Sequence, residues 1–117
     1  MLPTSLVLVD DRSLRCVARS VASGDTATIR LTGELTGETT QVLIQNVRRL
    51  LAQGCSHLRV DLGEVDFVDA RGLAAAVVAA KMAHDVRAEF GLVRPSPLIA
   101  RILDAGGLAL LRRDIDD

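Results

Sequence analysis

The strongest constraint on this chain is a repeated change of period. Segments whose apolar residues recur every second position alternate with segments whose apolar residues recur at helical spacing, and turn residues mark the boundaries. Leu14 to Arg19 alternates, with Leu14, Cys16 and Ala18 on one face. Ser23-Gly24-Asp25 is a turn signal, and Thr26 to Leu31 completes a hairpin. Gly33 to Gly37 reads as a loop. The next helix runs to Gln53, with Leu43, Val47, Leu50 and Leu51 at helical spacing and Gly54 as its C-terminal cap. His57 to Leu62 reads as a strand, and a second helix spans Ala70 to about Asp85. Glu89 to Val93 is a strand ended by Pro95. Ser96-Pro97 supplies a capping hydroxyl and a proline at the first helical position, opening a helix that stops at Gly106-Gly107. Leu108 to Leu111 reads as a last short strand, with a charged, fraying tail from Arg112.

The order β-β-α-β-α-β-α-β predicts an α/β domain: a mixed, mostly parallel sheet joined by right-handed crossovers, with helices packed against it. A chain of 117 residues is long enough for one core. Residues 1–11 read as an N-terminal extension or extra strand, and 12–117 as the single domain. Whether Leu6 to Val9 adds a strand or a dimer contact stays open, and so does a homodimer.

Charge and aromatic content remove several functions. Aromatic residues make up 2% of the chain, so bases have little to stack on. A formal net charge of -1 gives no electrostatic reason to bind nucleic acid or an anionic membrane. No apolar run is long enough to cross a bilayer, which makes a cytoplasmic protein the expectation. Cys16 and Cys55 show neither metal-ligand spacing nor a CxxC. Reduced thiols are expected, with a redox-sensing pair as the alternative. No Walker loop, GxGxxG, HExxH or Ser–His–Asp arrangement appears, so neither an enzyme nor a cofactor or metal site is expected.

Val60 to Lys81, "VDLGEVDFVDARGLAAAVVAAK", resembles the central motif of the STAS domain: an apolar strand, an Asp-Phe-x-Asp-Ser-x-Gly-Leu turn and a helix. Ile29 to Thr36, "IRLTGELT", is similar to a second signature, and Arg94 to Leu108, "RPSPLIARILDAGGL", to a third. The resemblance implies the STAS fold. It also implies a stand-alone anti-sigma-factor antagonist, whose partner is an anti-sigma factor of the serine-kinase type and whose binding frees a sigma factor. In that family the kinase phosphorylates a serine of the central turn. Here Ala70 occupies the position, so no phosphorylation is expected at it. Thr36 stands where the family motif usually continues with Asp, and Arg71 where a small polar residue is common. The alternative is a STAS sensory or scaffold module that binds a small ligand or joins a larger assembly.

The central turn can also be read from its own chemistry. Asp69 is placed as a helix N-cap, accepting from the free N–H groups of Arg71 and Gly72. Gly72 costs the helix about 1 kcal/mol against alanine and permits a close approach by a partner or a neighbouring loop. Arg71, a cation in the first turn, opposes the helix dipole, and either is simply solvated or faces an acidic group on a partner. Leu73 to Ala80 carries no charge; Leu73, Val77, Ala80 and His84 share one face, Val78 and Met82 another. If Ala74, Ala75 or Val78 are exposed, they form an apolar patch. The expected partner-binding surface joins Gly33, Glu34 and Thr36 of the first loop to Asp69, Ala70, Arg71, Gly72 and Leu73 of the turn. Regulation would then rest on expression, cysteine oxidation or another phosphosite such as Thr39.

Overall fold

The computed structural model describes residues 7–8 and 16–113. Its elements are β1 (Val7–Leu8), β2 (Cys16–Ser23), β3 (Thr26–Leu35), α1 (Thr40–Ala52), β4 (His57–Val68), α2 (Ala70–Asp85), β5 (Glu89–Val93) and α3 (Pro97–Ala105), followed by a 3-10 turn at Ala109–Leu111. The five strands lie in the order β1-β2-β3-β4-β5. The first two neighbouring pairs are antiparallel and the next two are parallel. The expected α/β class and mixed sheet are present. Leu6, Val9, Leu14, Arg15 and the tail beyond Arg113 lie outside the described residues.

Alternating positions of the strands point to one core. Ala18 of β2, Ile29 and Leu31 of β3, Leu58 and Val60 of β4, and Phe90 and Leu92 of β5 are buried with residues from all three helices. Two successive right-handed crossovers put α1 and α2 on the same face of the sheet. The opposite face of β2 to β4 is polar, with Arg19, Arg30 and Arg59 exposed. A buried polar link fixes α1 against β2: the Ser20 hydroxyl donates to Asn46 Oδ1 at 2.6 Å, and Asn46 Nδ2 donates to the Val42 carbonyl at 2.6 Å. Both side chains are fully buried.

Helix α2 turns its small residues inward. Gly72, Ala75, Ala76, Ala79 and Ala83 are buried, whereas Val77 and Val78 are each 48% exposed. The seam without branched side chains lets the helix lie close to its neighbours. Of the residues expected to form an apolar patch, Ala74 and Val78 are exposed and Ala75 is not.

Four boundaries differ from the sequence reading. Strand β2 continues past Arg19 to Ser23 and pairs with β3 along that length. Strand β3 continues to Leu35, so Gly33 and Glu34 are in the sheet and not in a loop. Strand β4 continues past Leu62 to Val68 and supplies the partners, after register shifts between Arg30 and Thr32 and between Gly33 and Glu34. Leu108–Leu111 is no strand. Leu108 is buried beneath a 3-10 turn, and Arg112 alone makes a bridge, to Leu92.

Candidate functional site

Strands β3 and β4 are parallel, so their ends deliver Leu35 and Val68 side by side, and the chain turns into helices from both. Asp69 has the extended backbone of an N-cap (φ -99°, ψ -177°). One carboxylate oxygen, Oδ1, accepts the Gly72 N–H at 2.8 Å; the other, Oδ2, accepts the Gly37 N–H at 3.3 Å. A single carboxylate therefore caps α2 and anchors the β3–α1 loop. The Gly72 hydrogen bond, then those from Gly37 and the Arg71 backbone and the charge of Arg71, hold its carboxyl below the usual carboxylate value, against the opposing effect of desolvation.

Two backbone contacts tighten the joint. The Asp69 N–H donates to the Leu35 carbonyl at 3.2 Å. Gly72 packs on that same carbonyl so closely that a Cβ would collide with its oxygen and lie 2.9 Å from its carbon. The close approach that a glycine permits is thus taken by the neighbouring strand end.

The loop is braced from within. The Thr39 hydroxyl donates to the Glu34 carbonyl at 2.7 Å and accepts the Thr36 N–H at 2.8 Å, and the Glu38 N–H reaches the Thr36 hydroxyl at 3.3 Å. Thr39 is 2% exposed. A hydroxyl bonded on both sides and shielded from solvent is not presented to a kinase, which removes Thr39 as an alternative phosphosite.

These contacts build a shallow groove of about 400 Å³, lined by Thr36, Gly37, Glu38, Asp69, Ala70 and Arg71. Arg71 lies across Gly37, where a Cβ would meet its Cδ. Ala70 and Arg71 are exposed, and Thr36 is half-buried. Of the residues predicted from sequence, Thr36, Asp69, Ala70 and Arg71 come together at this surface. Gly33 does not: it is buried in β3 between Cys16 and Val65, at φ 110°. Glu34 belongs to the strand, where its carbonyl holds Thr39. Gly72 is buried under the joint, and Leu73 is half-buried against Gly106. Sequence reasoning missed Gly37 and Glu38. The available signal was a second glycine, three residues before the helix and able to accept a neighbour's side chain.

The thiols have no common chemistry. Cys16 faces Gly33 at one end of the sheet, whereas Cys55 leads into His57, the partner of Thr26 at the other. Seven strand steps from Thr26 to Gly33 span roughly 23 Å, far beyond the roughly 7 Å limit for a disulfide. Burial pushes the Cys16 thiol up to about 11, against a hydrogen bond with Thr39. The redox pair is therefore excluded by geometry. Among the described residues, no group of three or more His, Cys, Asp or Glu side chains is placed to hold a metal ion, and no helix is long and apolar enough to cross a membrane.

The family model described as "Mlab, STAS domain" matches residues 18–113. Among solved structures, the anti-sigma factor antagonist SpoIIAA in its unphosphorylated form superposes with a TM-score of 0.73 at 20% identity, over 86% of this chain and 89% of that one. The Bacillus cell fate determinant SpoIIAA in the phosphorylated form gives 0.62 at 18% identity, over 97% and 93%. An anti-sigma factor antagonist from Mycobacterium paratuberculosis gives 0.69 at 21% identity, over 98% and 86%. At such identities the likeness to these three is one of fold.

Proposed function

The chain belongs to the STAS domain family, and from that premise we propose that it is an anti-sigma-factor antagonist, binding a kinase-like anti-sigma factor and so freeing a sigma factor in the cytoplasm. The observation that carries this reading is the Asp69 carboxylate bonded to both Gly37 and Gly72. It makes one preorganised surface of two segments, with Thr36, Glu38, Ala70 and Arg71 presented to a partner. Preorganisation lowers the ordering cost of association. Neighbours of this fold are described as SpoIIAA in unphosphorylated and phosphorylated forms, and as an antagonist of an anti-sigma factor.

Ala70 has no oxygen to accept a phosphoryl group. The surface is therefore permanently competent to bind, and Arg71 stands ready for a carboxylate on the partner. The test has two stages. Proteins captured at native expression level are identified by mass spectrometry, and the affinity of the captured anti-sigma factor is then measured by calorimetry. Ala70→Asp should weaken it at least about tenfold, as one unfavourable charge of about 1.4 kcal/mol would, and Arg71→Glu should weaken it too. Full affinity in Ala70→Asp sinks the surface assignment. Capture of a membrane or multi-subunit assembly in place of an anti-sigma factor sinks the functional one.

A further inference from the structure

The sheet face turned away from the helices carries a second constellation. Asp61 sits there in the middle of β4 and is 4% exposed. Its Oδ1 accepts the Gly63 N–H at 2.8 Å, and its Oδ2 lies 3.6 Å from Nε of Arg30 and 3.6 Å from Nε of Arg94. One fixed carboxylate oxygen thus holds two guanidiniums side by side. Each contact is a charge pair through Nε, too long for a hydrogen bond. The two arginine side chains remain 55% and 61% exposed.

Fold stability alone does not explain the arrangement. Among the described residues, Arg30 and Arg94 both pair with the one Asp61 carboxylate. Arg19 adds a third cation directly opposite Arg30 in the β2–β3 ladder, where like charges destabilise a sheet. Arg94 also adopts φ 59°, a left-handed conformation unfavourable for a residue with a side chain. At Gly63 a Cβ would come within a tight 3.1 Å of Asp61 Oδ1 and make ordinary contact with Arg94 Nε at 3.6 Å. Beside it lies a shallow depression of about 510 Å³ lined, among the described residues, by Arg19, Val21, Ser23, Thr26, Thr28 and Arg30, three of which carry hydroxyls.

We propose that this face binds a phosphate-bearing ligand through Arg30 and Arg94, which Asp61 orients, with Arg19 as a third contact. Planar forks drawn to one carboxylate through their inner nitrogens suit the tetrahedral oxygens of a phosphate, where bidentate pairing is strong. The ligand is a soluble phosphorylated molecule or a phosphate headgroup. The site uses none of the residues of the Asp69 surface, so either can fail without the other.

Inorganic pyrophosphate is the probe for the first source, titrated into the full chain by NMR. Saturable shifts should appear at the amides of Arg19, Arg30 and Arg94 and not at Asp69 to Arg71. Arg19→Gln leaves both Asp61 pairs in place and should weaken binding roughly threefold to tenfold, the loss of one charge-assisted contact. Arg30→Lys combined with Arg94→Lys keeps cations beside Asp61, so the variant folds while the forks are lost, and binding should fall further. For the second source, the chain is sedimented with phosphatidylcholine vesicles containing phosphatidic acid. Sedimentation that the double lysine variant abolishes assigns a headgroup; saturation by pyrophosphate without sedimentation assigns a soluble ligand. No interaction with either probe, or interaction unchanged in both variants, overturns the proposal.

Discussion

Replacing Gly72 by alanine should destabilise the protein, although helix propensity alone argues the opposite. In an open helix, alanine is favoured over glycine by about 1 kcal/mol. At this position the new methyl would collide with the Leu35 carbonyl oxygen and sit 2.9 Å from the Leu35 carbonyl carbon and 3.1 Å from Val68 Cγ1. An ordinary carbon–oxygen contact is about 3.3 Å or more. The first turn of α2 must therefore retreat by on the order of 1 Å, because the obstacle is strand backbone and cannot swing aside. Overpacking of this kind costs about 1–3 kcal/mol, and weakening the Asp69 N–H bond to Leu35 adds about 1 kcal/mol. After the propensity gain, a net loss of about 1–3 kcal/mol remains. Unfolding entropy of about 2.1 cal/mol/K per residue gives roughly 0.25 kcal/mol/K for a chain of this size, so Tm should fall by about 4–12 °C. Gly37→Ala is the control. The atoms met there belong to the Arg71 side chain, which can move, so its Tm should change much less. Scanning calorimetry of the two variants decides the matter. An unchanged or raised Tm in Gly72→Ala would refute the reasoning from close approach.

Asp69→Ala should cost about 1–2 kcal/mol in urea unfolding at neutral pH, while Asp69→Asn, which can still cap, should cost less. Because the native carboxyl is held below its ordinary value of 3.8, the contribution of its charge is complete above 3.8 and is lost as pH falls through the lower native value. The gap between the wild type and Asp69→Asn should therefore be constant near neutrality and close in acid; a gap that widens in acid contradicts the assignment. Asn46→Ala leaves the Ser20 hydroxyl buried without its acceptor and should cost about 1–3 kcal/mol. Ser20→Ala combined with Asn46→Leu should recover much of that loss, and simple additivity in the urea midpoints would count against a coupled pair.

Local chemistry was the most legible part of the sequence. Ser96 caps α3 through the Ile99 N–H at 3.2 Å with Pro97 at the first position, and Asp69 caps α2, both as their residue types require. The alternation of periods likewise led to the mixed sheet. Features set by distant neighbours were harder to read. The extension of β3 through Gly33 and Glu34 depends on β4 crossing two register shifts to remain its partner. Gly33 looked like a loop residue because glycine punctuates loops far more often than it lines a sheet. The inward face of α2 was obscured because alanine suits either side of a helix, so the sequence left open which of Ala74, Ala75 and Val78 would be exposed, and Ala75 proved to be buried. The pairing of Arg30 and Arg94 on Asp61 joins three separate segments, and nothing local in the sequence indicates it.

The described helices all lie on one side of the sheet, and this gives the two sides different freedom to change. Along β3, Ala27, Ile29 and Leu31 touch the packed layer, while Thr28, Arg30 and Thr32 meet solvent or ions. Tolerance of substitution should therefore oscillate with every other residue. Inward sites would accept little beyond aliphatics of matching volume, and outward ones away from the Asp61 cluster could drift among many polar types. Evolution can thus rewrite the outer surface of such a domain, and the molecules it meets, without renegotiating its interior.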